Sequence, residues 1–262
     1  MAHESAETNE PPSTKSGILT PGQAHSDWSP ETVLSKLDHR PETNATSPVP
    51  FFHILERLKT TKREGWRRFN IVHGESIADH MYRMSIMTMV PPASLATRLN
   101  IPHCTRMALI HDLAESLVGD ITPLDGVSNT EKRRREDATM DYLCKTLLGN
   151  VNGGLSGEEI WKTWKEYEDS DTLEAKYVHD IDKLELLLQM VDYERLHGGR
   201  VDLGEFANVS TRIKLPEMRE WADRILAERK SFWVGIGETP SDGVNGLSQE
   251  KIEQMDEYYG KT

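Results

Sequence analysis

Four positions in this 262-residue chain could hold a cation between them: His80, the adjacent His111 and Asp112, and an aspartate at 180 or 182. Two imidazoles and two carboxylates form a mixed nitrogen and oxygen donor set. Such a set suits Mn, Co, Fe, Zn or Ni better than a thiolate-selective site would. A divalent ion held this way brings a water toward deprotonation near neutral pH and makes it a nucleophile. Glu115 lies three residues after Asp112 and four after His111, so on a helix all three can face one side. A histidine and two carboxylates at the edge of an apolar face are costly to bury unless something pairs them. The dipeptide alone says little, because the chain contains a second His-Asp pair at His179-Asp180. The weight comes from donors supplied by three separate segments.

Those segments read as helices. Arg106 to Asp120 carries an apolar stripe at Met107, Ile110, Ala114 and Leu117, which predicts one helix from about Pro102 to Gly119. His80 lies beside Ile77 and Met84 in a helix opened by a Ser76/Asp79 capping pair and closed by Pro91-Pro92. The later aspartates are embedded in a long helix, capped by Asp171 or Thr172 and striped by Tyr177, Ile181, Leu184 and Val191. Ser128 with Glu131, and Ser156 with Glu159, predict two further helix starts. No segment alternates convincingly as a strand, so the expected class is all-α. Ahead of His80, the stretch around Gly65, Trp66, Arg67 and Arg68 is basic and aromatic. It reads either as a Trp plugging a core edge beside solvated arginines or as a loop that receives a phosphate-bearing ligand. The run Lys132 to Arg135, interleaved with acids, reads as a solvated, ion-paired face, with a phosphate-facing role as the lesser alternative.

Composition sets the frame. The formal charge is −12, but residues 1–47 and 237–262 hold most of the excess. The charge is therefore mainly a solvation feature, and it argues against a nucleic-acid polymer as partner. Residues 1–47 are rich in Pro, Ser, Thr and Glu and are expected as a disordered tail. Residues 48–236 are expected as the domain. Residues 237–262 are expected as a second tail, with a short amphipathic pattern at Ile252, Met255 and Tyr259. Cys104 and Cys144 fit buried reduced thiols. The N-terminus lacks a secretory or transit pattern, and no run of apolar residues is long enough to span a membrane. The expected location is the cytoplasm, with the nucleus also open.

The segments Glu75-Ser-Ile-Ala-Asp-His-Met-Tyr-Arg83, His111-Asp-Leu-Ala-Glu115, Val118-Gly-Asp-Ile121 and Asp182-Lys-Leu-Glu185 resemble, as a set, the HD-domain metal-dependent phosphohydrolases. The similarity is greatest to the HD domain-containing protein 2 and 5′-deoxynucleotidase group, over roughly residues 50–230. The resemblance implies an HD-type helical bundle and a divalent metal (Mn, Co, Fe, Zn, Ni or Mg) on His80, His111, Asp112 and Asp182. It also implies hydrolysis of deoxyribonucleoside 5′-monophosphates and a homodimer. It gives Glu115 the catalytic carboxylate's place and Asp120 that of an acid positioning water, with a second metal near Glu115, Asp120 and the Ile121 backbone. It sets Trp66 near the sugar. Bacterial members carry an arginine where this chain has Gly65, leaving Arg67 or Arg68 to bind phosphate. Asp180 is then left as an exposed or supporting carboxylate. Two alternatives stay open: another HD-type activity (a phosphodiesterase or a dNTP triphosphohydrolase), and a non-catalytic helical module stabilised by metal.

Overall fold

The computed structural model describes residues 28–241, and among these every regular element is helical apart from one isolated antiparallel bridge, Lys62–Ser76. The elements run α1 (Pro30–Leu34), α2 (Val49–Thr60), α3 (Glu64–Arg67), α4 (Ile77–Thr88), α5 (Ala93–Ala96), α6 (Ile101–Ala108), α7 (Glu115–Val118), α8 (Asn129–Asp141), α9 (Leu155–Asp169), α10 (Leu173–Leu196) and α11 (Pro216–Gly235). α8 continues into a wider π turn over Tyr142–Leu147, and a 3₁₀ segment, Gly204–Arg212, joins α10 to α11.

Local chemistry accounts for several boundaries. Ser76 and Asp79 form a reciprocal capping box at the start of α4, and Thr172 accepts from the Ala175 amide to open α10. Each such cap is worth about 1 kcal/mol. The expected Ser156 cap is absent, because α9 is capped two residues earlier by Gly154, which is in the left-handed conformation.

Two expectations are corrected. The tail boundary at Pro48 falls too late, because α1 has its own Ser29/Thr32 capping box and buries Val33 and Leu34 in the interior. The start of the first tail and most of the second lie outside the described residues. The single helix expected over 102–119 is broken. Between α6 and α7, the amides of Ile110, Leu113 and Glu115 bond three residues back, to Met107, Ile110 and Asp112. Such tight turns bring side chains at i and i+3 to one side, which sets Glu115 on the same side as Asp112, near enough for the two carboxyls to influence each other.

The interior divides into two apolar clusters. One gathers on α10, with Met84, Met107, Ala108, Tyr177, Ile181 and Leu184; the other lies beneath α2 and α8, with Ile77, Met81, Ile110, Leu113, Ala114 and Leu117. α4 feeds both, and so does the broken segment 107–117. His80 and His111-Asp112 therefore sit on the seam between the clusters.

Candidate metal and catalytic site

Both histidines are oriented by the bond at Nδ1. His111 Nδ1 lies 2.9 Å from the Ala108 carbonyl, and His80 Nδ1 lies 2.6 Å from Glu185 Oε2. A ring nitrogen held this way fixes the tautomer and leaves Nε2 as the ligand atom. Nε2 of His111 then lies 3.1 Å from Asp112 Oδ2, and Nε2 of His80 lies 3.9 Å from that oxygen and 3.2 Å from Asp182 Oδ1. The ligand atoms of His80, His111 and Asp112 converge within 4.8 Å of one another. Asp182 adjoins this group through His80.

These atoms fit a divalent ion. Among the described residues, His80 Nε2, Asp112 Oδ2 and Glu115 Oε2 are buried without a hydrogen-bond partner of good geometry. Buried polar groups are ordinarily satisfied, so orphans brought together from α4 and from the broken stretch leading from α6 into α7 leave room for a cation.

The carboxylates separate sharply in acidity. Burial pushes Glu115 well above the usual range, with Asp112 and Asp120 adding to it and Arg63 and Lys132 opposing. Burial would also raise Asp112, but His111, Arg63 and His80 hold it well below the usual range. Asp182 is likewise held low against burial, mainly by the neighbouring His80 imidazole, whose Nε2 lies 3.2 Å from Oδ1, with His111 and Lys183 adding to it. Burial and Arg63 push His80 down, yet Glu185 and Asp182 outweigh them and lift it to about 10. A neutral carboxyl beside ionised ones is the arrangement that separates a proton carrier from ligands.

The cation at this cleft is Arg63, which the sequence reading missed. Its Nη1 lies 3.5 Å from Asp112 Oδ2 and 3.4 Å from Asp120 Oδ1. The bridge partners hold it in place, since Arg63 N bonds Glu75 O and Ile77 N bonds Thr61 O. The expected phosphate binders turn elsewhere: Arg67 pairs with Glu64 at 2.8 Å and Arg68 with Glu205 at 3.4 Å. Trp66 is corrected too. It is 1% exposed and lies between Tyr193 and Phe206, with centroids at 5.3 and 4.6 Å, and its indole N–H donates to Glu75. It plugs the core and presents no open face to a sugar. Asp120 differs from its expected role as a second-metal ligand. One oxygen faces Arg63 and the other accepts from the Glu64 amide, while the neighbouring Ile121 is buried.

Glu185 was also missed, although it lies three residues after Asp182, a spacing that faces both to one side of α10. The second His-Asp pair has a different use. His179 Nε2 meets the Tyr167 carbonyl at 2.9 Å, and fully buried Asp180 accepts from the amides of Lys214 and Leu215 just before α11. Asp180 is thus neither exposed nor a ligand.

The HD domain family model matches residues 55–221. The 5′-deoxynucleotidase hdd1 of Schizosaccharomyces pombe is 44% identical, over 72% of this chain and 94% of its own. The 5′-deoxynucleotidase HDDC2 of Homo sapiens is 36% identical, over 75% and 93%. Among solved structures, the HD domain-containing protein YGK1 superposes with a TM-score of 0.56 at 32% identity, covering 78% of this chain and 98% of that one.

Proposed function

This chain belongs to the HD domain family, and on that premise we propose that it is a metal-dependent 5′-deoxynucleotidase, cleaving deoxyribonucleoside 5′-monophosphates to deoxynucleoside and phosphate. The observation that carries the reading is the convergence of the ligand atoms of His80, His111 and Asp112 within 4.8 Å of one another, with His80 Nε2 and Asp112 Oδ2 buried and left without a hydrogen-bond partner. The relatives named 5′-deoxynucleotidase span most of the chain and so support the substrate class.

His80, His111 and Asp112 would hold the ion, with Asp182 completing the set. When bound, the ion supplies Lewis acidity at the phosphate and a water of lowered pKa. The rest falls to side chains. Arg63, fixed by Asp112 and Asp120, offsets charge that builds on the phosphate oxygens. Glu115 holds a proton at Oε2 or Oε1, beside Asp112, and passes it to the departing 5′-oxygen. Glu185 keeps the His80 ring turned toward the cleft. Asp120 orients Arg63 and the Glu64 amide.

The test is phosphate release from dAMP, AMP, dATP and a cyclic nucleotide, with each of several divalent metals. The expected result is orthophosphate from dAMP and little from AMP. Tripolyphosphate released from dATP, with dAMP untouched, would overturn the reading. A homodimer belongs to the same proposal. Tyr82 and Ile86 on α4 and Met89 at its C-terminal cap, all exposed, are the surface it would cover, and light scattering reads the mass.

A further inference from the structure

The basic run at the start of α8 is split by the fold. Arg134 and Arg135 each close on Glu131 at 2.7 Å, and Arg133 faces Asp169 at 3.6 Å. Lys132 turns away from them. Its Nζ lies 2.6 Å from Glu136 Oε1, and the two side chains are only 21% and 10% exposed. α8 packs on α7, and the ammonium is near enough to act on the carboxyls of Glu115 and Glu168.

A phosphomonoester entering this cleft brings negative charge toward Asp112, Glu115, Asp120 and Asp182. Arg63 is clamped between Asp112 and Asp120 through Nη1, so it meets the phosphate from one fixed direction and part of its charge is offset by those two acids. A lysine is a compact point charge on a four-carbon stem and can change partners by rotation. Glu136 holds that ammonium in a part-buried position on α8, the helix that packs on α7, rather than in solvent.

We propose that Lys132 is a substrate-binding cation, held in reserve by Glu136, that moves onto the phosphate of the incoming phosphomonoester. This rests on the phosphohydrolase reading of the cleft. Charge-assisted contacts of this kind are worth enough to read in binding.

The experiment uses the full chain loaded with a divalent metal. Lys132→Met should raise the KM for dAMP and the inhibition constant of inorganic phosphate together, by about tenfold, with kcat changed less and the melting temperature kept. Lys132→Arg should restore most of both. Constants within about twofold of the parent chain for a folded Lys132→Met would overturn the proposal, since that change is well under the charged contact's worth. Should that variant fail to fold, Glu136→Gln decides: an ammonium that has lost the Glu136 counter-charge tightens phosphate inhibition, and unchanged or weaker inhibition overturns the assignment. Calorimetric titration with inorganic phosphate keeps the two readings separable. If the parent chain releases no phosphate from any deoxynucleoside monophosphate, the function reading fails. The titration still shows whether Lys132 binds the anion.

Discussion

Two buried clusters of charge hang from α10, and they are built on opposite principles. Near its middle, Asp182 and Glu185 face His80, with Asp112, Glu115 and Arg63 close by. About nine residues on, or roughly 13 Å along the axis, fully buried Glu194 accepts from the Leu203 amide at 2.8 Å, from Arg229 at 2.9 Å and from the Trp233 indole at 2.8 Å. Arg229 is also bonded to Asp202 at 2.7 Å and to the Ser241 carbonyl at 2.7 Å. In this second cluster acceptors meet donors in matched geometry, and it pins α11 and the segment beyond it to α10. In the first cluster, acids crowd acids and four buried atoms, on His80, Asp112, Glu115 and Glu185, have no hydrogen-bond partner. Burial of charge is therefore a poor marker of function in this molecule. What marks the candidate site is charge that the chain leaves unpaired.

The same substitution at each cluster should break the resemblance between them. Glu115→Gln removes the proposed proton carrier, so turnover of dAMP should fall by about 10²–10⁴-fold. The amide also removes a carboxyl that burial, Asp112 and Asp120 already oppose. Metal content and unfolding free energy should thus hold or rise. Near-normal turnover in that variant would remove Glu115 from the chemistry. Glu194→Gln is expected to do the reverse. It leaves Arg229 buried without its full counter-charge, a change that typically costs about 3–5 kcal/mol. Denaturant titration should show the loss, while turnover per folded molecule stays near normal. A Glu194→Gln chain as stable as the parent would mean that the second cluster is not the structural one.

A chelator sharpens the contrast further. Stripping the metal should abolish turnover and lower the melting temperature, because a ligand bound only to the folded state stabilises it by mass action. The same treatment should leave the Glu194 cluster's contribution unchanged, so the effects of metal removal and Glu194→Gln on stability should add. Strong non-additivity would show that the clusters are coupled along α10.

The sequence made the donors of the first cluster legible and not their setting. His80, His111, Asp112 and Asp182 stand in segments whose periodicity is strong, and Met107, Ile110, Ala114 and Leu117 are buried as their spacing implies. The break between α6 and α7 was illegible because tight turns keep the same residues inward, so the apolar stripe passes through it unaltered. Arg63 was hidden by its distance from Trp66 and by Gly65, which drew attention to the arginines after the tryptophan. It reaches the cleft only because the bridge at Lys62–Ser76 returns the chain past Glu75. Asp180 carried a ligand's residue type, and only the fold shows its two oxygens spent on the amides before α11. Nothing in the spacing of Glu194, Asp202 and Arg229 marks the second cluster, because its partners come together only when α11 folds back on α10.

The smallest expected effect concerns Glu168, which resembles neither cluster fully. It is half-buried and makes no hydrogen bond to a matched donor among the described residues, and its charged neighbours are Glu136, Lys132, Arg133 and Asp112. Burial, reinforced by Glu136, raises its carboxyl from 4.5 to about 7. A carboxyl raised on folding binds its proton more tightly in the folded chain than in the unfolded one. Its share of stability is therefore complete below about 4.5 and declines as pH rises through about 7. Glu168→Gln removes that titration. The variant should match the parent near pH 4.5 and exceed it at pH 8, by something on the order of 1 kcal/mol given the group's partial exposure. Unfolding free energies at the two pH values, at one fixed metal concentration, make the comparison. Parallel pH dependence in the two chains would assign the slope to other groups. A flattened slope would show that a half-buried acid without a matched donor costs stability here even where no chemistry is asked of it.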